Sequence, residues 1–184
     1  SIVKIKLAKQ WSSDDMTISK EEVCFIGLGS NLDDPSNQVK SAIKEISELK
    51  YVKLLKASSM YQTKPFGILE QPDFINAVVK VSTSVTPKTL LLMLQDIEKK
   101  HKRLRGKDRN MARTLDLDIL FFGDRKLNLQ ELQIPHPRIK NRASALIPLN
   151  EIAPNVVRGF LGKTEYLNKF NLSLEFNKAD CVIV

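Results

Sequence analysis

Asp116 and Asp118 stand two apart in Arg113-Thr-Leu-Asp-Leu-Asp-Ile119, among otherwise apolar residues. In an extended strand alternate side chains share a face, so the two carboxylates point the same way, about 7 Å apart from the strand rise. Leu115, Leu117 and Ile119 then point to the opposite face, into a core. Like charges side by side on a strand repel, and a divalent cation removes that cost. Magnesium takes oxygen ligands, commonly one or two carboxylates together with phosphate oxygens. An Asp-x-Asp pair by itself fits equally well on a half-exposed strand facing water, so its neighbours carry the argument.

Those neighbours are basic. Between Lys99 and Arg113 lie Lys99, Lys100, Lys102, Arg103, Arg105, Lys107, Arg109 and Arg113, opposed only by Asp108. The run leads straight into the aspartate strand. A carboxylate pair beside guanidinium groups suits transfer of a phosphate-chain fragment. The metal bridges phosphate oxygens, and arginine forks grip two oxygens at once while neutralising developing charge. Taken alone, the run also fits a solvated charged segment or an RNA footprint. RNA-reading sheets carry exposed aromatics on their central strands, whereas this strand presents two carboxylates.

A second constellation is Gln71-Pro-Asp-Phe-Ile-Asn76. If a strand begins near Phe74, then Phe74 and Asn76 share a face. A ring that stacks beside an amide that both donates and accepts suits a flat heterocycle. The same residues also fit a core aromatic and a ladder end.

The elements that must position these groups follow from hydrophobic period and turn chemistry. Val23–Leu28 reads as a buried strand ending at Gly29-Ser30-Asn31. Asp33, Asp34 and Pro35 open a helix with Val39, Ala42, Ile43, Ile46 and Leu49 on one face. Val52–Tyr61 reads as one strand, Gln62–Asp73 as a long loop, and Phe74–Ser82 as a third strand. Thr86-Pro87 caps a helix with Leu90, Leu94, Ile97 and His101 on one side. Lys102–Ala112 reads as a basic loop, Leu115–Phe122 as a fourth strand, Pro135-His136-Pro137 as a rigid extended segment. Ala143–Ile152 reads as a short helix broken at Pro148. The order strand, helix, strand, strand, helix, strand predicts an α+β, ferredoxin-like split βαβ fold: an antiparallel sheet with helices packed on it.

The chain of 184 residues, 42% hydrophobic and 27% charged, is neither a disordered nor a membrane composition. Its net charge of +8 bears on partners rather than on fold. Cys24 and Cys181 stand far apart and have no metal-ligand spacing; a disulfide framework is not expected of them, which favours a reducing compartment, and His101 and His136 cannot build a zinc site by themselves. The expected organisation is an extension or linker remnant over 1–20, one domain over 21–160, and a C-terminal extension over 161–184. The opening on Ser1 and the apolar Cys181–Val184 end are expected of a processed or excised piece. No membrane partner is expected.

Together, Gly29-Ser-Asn-Leu, Ser59-Met-Tyr-Gln-Thr63, Gln71-Pro-Asp-Phe-Ile-Asn76, Arg113-Thr-Leu-Asp-Leu-Asp-Ile119, Pro135-His136 and Asn141-Arg142 resemble, in order, the 6-hydroxymethyl-7,8-dihydropterin pyrophosphokinases of folate synthesis. The resemblance spans about residues 22–155. It implies transfer of pyrophosphate from ATP to the pterin hydroxymethyl oxygen, releasing AMP. It further implies two Mg2+ ions on Asp116 and Asp118, and ATP at Gln95, Glu98, Arg103, Arg105, Arg113, Ile119, His136 and Arg142. The pterin would lie at Thr63, Lys64, Phe66, Phe74 and Asn76, with Arg103 and Arg113 nearest the chemistry. No nucleic-acid partner is implied. Fusion to dihydroneopterin aldolase or dihydropteroate synthase is common in the family, and the cytoplasm or an organelle such as the mitochondrion is the expected location. The chain departs from the family at Asn110-Met111-Ala112, where an aromatic and Gly-Pro are usual, and at Ser144, where a second aromatic commonly closes over the pterin.

Overall fold

In a computed structural model of the chain, the described residues are 20–65, 70–103, 114–170 and 181–184. The sheet comprises β1 (Glu22–Ser30), β2 (Val52–Ala57), β3 (Tyr61–Thr63), β4 (Phe74–Thr83), β5 (Asp116–Phe122) and β8 (Cys181–Ile183); β6 (Leu127–Asn128) and β7 (Gln133–Ile134) form a separate small ribbon. Strand order is β5-β1-β4-β3-β8, with β2 also on β4, and each of these pairings is antiparallel. The helices are α1 (Pro35–Ser47), α2 (Pro87–Arg103), α3 (Ala143–Ile152), α4 (Pro154–Leu161) and α5 (Lys163–Phe170). This is the α+β architecture that the element order predicts. No helix among the described residues is long and apolar enough to cross a membrane.

Helices cover both faces of the sheet. The first face, with Ile26, Leu28, Val79, Val81, Leu117 and Ile119, packs with Val39, Ala42 and Ile46 of α1 and Leu90, Leu94 and Ile97 of α2. The helical spacing of those apolar residues is what makes each helix form, since burial of one stripe outweighs weak propensity. Asp34 caps α1 by accepting the Asn37 N–H, and the Thr86 hydroxyl does the same for the Thr89 N–H ahead of α2. The second face carries Phe25, Val78 and Leu120 under Leu146, Leu149 and Ile152 of α3. That cluster continues past residue 160 to Leu161 and Tyr166, and β8 joins the same sheet through β3.

Three local expectations are corrected. The segment Val52–Tyr61 is not one strand: β2 stops at Ala57 and β3 restarts at Tyr61. Between them the Ser58 hydroxyl accepts the Val78 N–H, so a side chain takes over one position of the ladder. Gln62 and Thr63 therefore lie in β3 rather than in the long loop. Nor is the helix broken at Pro148, which sits inside α3. The proline forfeits one backbone bond, but Leu146 and Leu149 on either side of it are fully buried and hold the helix down.

Candidate active site

Asp116 and Asp118 occupy alternate positions at the start of β5, and Leu115, Leu117 and Ile119 are buried on the first face as expected. Cross-strand partners share a face, so the register of the sheet shows what lies beside the aspartates. Asp116 pairs with Gly29, Gly29 pairs with Asn76, and Asn76 pairs with Tyr61. One step along, Asp118 pairs with Gly27 and Gly27 with Val78. At the level of the carboxylates and the amide, β1 thus presents only glycines, Gly27 and Gly29, on this face. The result is a trough floored by β1, with Asp116 and Asp118 on one flank and Phe74 and Asn76 on the other. Phe74 pairs with Thr63 on β3, and the Asn76 Nδ2 donates to Thr63 Oγ1 at 2.7 Å.

Gly29 is fixed by contact. A Cβ there would stand 2.9 Å from Asn76 Oδ1, closer than real Cβ atoms approach. At Gly27 the methyls of Leu120 begin 3.4 Å away. Leu120 reaches that place because β5 carries a bulge: Ile26 pairs with Ile119 but Phe25 with Phe121, leaving Leu120 as the extra residue. The bulge turns Phe122 back to the first core while Leu120 closes the far end of the trough beneath α3.

β5 is an edge strand, and its outer side is held by specific partners. Glu98 Oε1 of α2 accepts the Leu117 N–H at 2.8 Å, midway between the two aspartates. The His136 N–H donates to the Leu120 carbonyl at 3.0 Å. Beside this edge lies a cavity of about 300 Å³, lined by Leu91, Leu117, Asp118, Ile119, Leu132 and His136 among others. Gln130, Glu131 and Gln133 also line it, so the walls are mixed, with polar side chains among the apolar ones up to the Asp118 carboxylate. Such a wall suits a flat ligand that both packs and hydrogen-bonds and carries a charged tail. Gln95 and Glu98 lie on α2 at positions four and seven after Leu91, the spacing of one helical face.

Asp118 is 43% exposed, within reach of an incoming oxygen or ion. Arg142 Nη1 stands 3.5 Å from its Oδ2, and His136 Nε2 stands 4.0 Å from the same atom. His136 Nδ1 accepts the Arg138 N–H at 3.3 Å, which places the proton of a neutral ring on Nε2, toward Asp118. Burial pushes the His136 pKa below its usual value; Asp118 opposes this, and the charges of Arg142 and Arg138 reinforce it. The ring is therefore neutral at pH 7.

The structure brings together most of the predicted set. Asp116, Asp118, Arg142, His136 and Ile119 gather on the β5 side, with Gln95 and Glu98 behind the strand. Thr63, Phe74 and Asn76 gather on the other flank, and Lys64 follows β3 directly. Arg103 is the last residue of α2. Phe66, Arg105 and Arg113 lie outside the described residues, as do Asn110, Met111 and Ala112. Ser144 is in the first turn of α3. Gly27 as part of the floor, and Leu91 and Leu132 as cavity walls, escape the sequence reading. Gly27-x-Gly29 has the same period of two as Asp116-x-Asp118, which is the signal that would have found it.

The donor set can be tested against a metal. Among the described residues no group of three or more His, Cys, Asp or Glu could hold an ion. Two strand carboxylates with one half-exposed supply oxygen only and leave most positions to water and phosphate, which fits magnesium and not zinc.

Comparison with known proteins gives a consistent answer. Residues 25–154 match the family model described as 7,8-dihydro-6-hydroxymethylpterin-pyrophosphokinase. A 2-amino-4-hydroxy-6-hydroxymethyldihydropteridine pyrophosphokinase of Haemophilus influenzae is 44% identical over 133 residues, 72% of this chain and 82% of that one. The folic acid synthesis protein fol1 of Pneumocystis carinii is 42% identical over 141 residues, 77% of this chain but 19% of its own length. A Plasmodium falciparum HPPK-DHPS crystal structure with pteroate superposes with a TM-score of 0.60 at 18% identity, covering 85% of this chain and 45% of that one. At that identity the likeness speaks for the fold.

Proposed function

This chain belongs to the 7,8-dihydro-6-hydroxymethylpterin-pyrophosphokinase family, and from that membership we propose how its residues divide the work. The activity is ATP-dependent pyrophosphate transfer to hydroxymethyldihydropterin in folate synthesis. The hydroxymethyl oxygen attacks the β-phosphorus of ATP. The bond from that phosphorus to the α,β-bridging oxygen breaks, AMP leaves, and the hydroxyl proton is released.

One observation carries the division: the carboxylates of β5 and the amide of β4 face the same side across a glycine floor. Phe74, Asn76 and Thr63 form the pterin wall, next to Lys64; the family resemblance adds Phe66 as a further pterin contact. Asn76 reads the heterocycle edge while Thr63 holds the amide in place. The nucleotide takes the β5 side, with its base in the cavity at Ile119, near Gln95, and its phosphates toward His136 and Arg142; the family resemblance adds Arg103, Arg105 and Arg113 of the basic run as further phosphate contacts. Neutral His136 can donate from Nε2 to a phosphate oxygen. Glu98 holds the strand between the aspartates.

Asp116 and Asp118 would hold two Mg2+ ions, which supply charge neutralisation on the phosphate chain. Most of the rate comes from alignment across the trough and from fixed positive charge, because a hydroxyl is a weak nucleophile and there is little covalent chemistry to perform. A fusion to dihydropteroate synthase, as in the Plasmodium structures, belongs to the same reading.

The test is direct. Incubation with ATP, magnesium and 6-hydroxymethyl-7,8-dihydropterin should yield AMP and the pterin diphosphate in equal amounts. Formation of ADP, or tight RNA binding without turnover, would overturn the reading.

A further inference from the structure

Outside the site lies a cluster that the reaction does not use. Glu151, near the end of α3, accepts hydrogen bonds from three donors on a segment about 90 residues away in sequence. Its Oε1 takes the Ser59 N–H at 3.0 Å and the Ser59 hydroxyl at 2.9 Å, and its Oε2 takes the Tyr61 hydroxyl. Both carboxylate oxygens are engaged, and the donors sit on the turn into β3 and on its first residue.

β3 needs such a tether. It has three residues, paired with β4 on one side and with the equally short β8 on the other, so each of its ladders spans only three positions. Yet its residues form the outer part of the pterin flank: Tyr61 pairs with Asn76, and Thr63 accepts the Asn76 amide. The other end of the same helix faces the opposite flank. Arg142, the residue just before α3, reaches Asp118. From Arg142 to Glu151 the helix rises about 14 Å. Between them, Leu146 and Leu149 are locked into the second core. One rigid element therefore touches both flanks of the trough.

We propose that Glu151 is a positioning residue that clamps β3 to α3 and so holds Thr63 and Asn76 at the spacing from Asp118 that the reaction requires. The carboxylate itself is suited to the task. Partial burial pulls its pKa up, but the Tyr61 and Ser59 bonds and the charge of Lys56 outweigh this and hold it below the ordinary value. It stays ionised, and an ionised acceptor makes the stronger bonds.

The inference rests on the functional reading above for the identity of its ligand, so the two are tested separately. Wild-type AMP formation tests the reaction. For the clamp, Glu151→Ala, Glu151→Gln, Tyr61→Phe and the Glu151→Ala/Tyr61→Phe pair are compared by steady-state KM for each substrate and by equilibrium binding of 6-hydroxymethylpterin without ATP. Loss of the bonds should raise the pterin KM and Kd roughly fivefold and leave the ATP KM unchanged. Glu151→Gln, which keeps an acceptor for Ser59, should recover part of the loss. Tyr61→Phe should give part of it and add nothing to Glu151→Ala. If Glu151→Ala fails to fold, the Gln and Phe variants carry the test. A fall in melting temperature with both KM values unchanged, or equal rises in both, overturns the clamp while leaving the reaction standing. A wild type that turns nothing over but binds pterin, with binding weakened in Glu151→Ala, overturns the reaction and supports the clamp. A wild type that neither forms AMP nor binds pterin overturns both.

Discussion

The β5 flank of the trough is charged, with Asp116 beside Asp118 and Arg142 and His136 against Asp118. The β3–β4 flank is neutral, with Thr63, Phe74 and Asn76 offering hydrogen-bonding groups and a ring; in the proposed division the first works through charge and the second through hydrogen bonds and ring contact. The first flank is concentrated in one strand, with Arg142, His136 and Glu98 arriving from three further segments to orient it. The second is spread over two strands joined by the Thr63–Asn76 bond and anchored to α3 by Glu151. The difference teaches where each kind of damage should appear. Charge that acts on the transferred group is felt in turnover, whereas neutral contacts that read a heterocycle are felt in its affinity.

The largest effect is expected on the charged flank. Asp118→Ala or Asp116→Ala should lower kcat on the order of 10³-fold, the scale of losing a group that stabilises the transition state electrostatically. Melting temperature should hold, because removing one of two like charges relieves repulsion. Calorimetry and AMP release measure the two together, and a fully active variant would sink the metal assignment. Asn76→Ala is next. It should raise the pterin KM roughly tenfold through one lost hydrogen-bonding group, with the ATP KM unchanged. A matching rise in ATP KM would merge the two flanks into one unit.

Gly29→Ala sharpens the boundary between them. Its new Cβ, 2.9 Å from Asn76 Oδ1, must displace the amide and not the aspartate on the other side. A rise of several-fold in pterin KM is expected. Crystallography should find Asn76 moved and Asp116 in place.

The smallest effect is that of pH on the clamp. The folded-state pKa of Glu151 is depressed below its ordinary 4.5. The unfolded chain therefore binds this proton first as pH falls. The stability it contributes is complete above pH 4.5 and is lost as pH drops through the folded value. Glu151→Gln should remove that part of the acid dependence of the melting temperature. An unchanged acid limb would count against the carboxylate.

Much of the site was legible because its groups follow a strand's period of two. Asp116 with Asp118, and Phe74 with Asn76, could each be placed on a common face before any fold was known. The helical stripes of α1 and α2 were legible for the same kind of reason. Ser58 was not, because its hydroxyl replaces a backbone group in a ladder that only the partner strand defines. Pro148 was misread because propensity registers the missing N–H but not the burial of Leu146 and Leu149 around it. Glu151 gave no signal at all, since its three donors lie about 90 residues away in sequence.

By itself, then, the sequence determined which residues are paired on each strand, which faces of α1 and α2 are apolar, and what chemistry the carboxylates and the basic run can do. Local backbone geometry fixes such pairings, and it does not depend on distant residues. Tertiary structure alone decided that Asp116 and Asn76 flank a single trough, because that follows from β1 lying between β4 and β5 with two glycines turned to the open face. Strand order and register are set by long-range packing, so no local pattern encodes them.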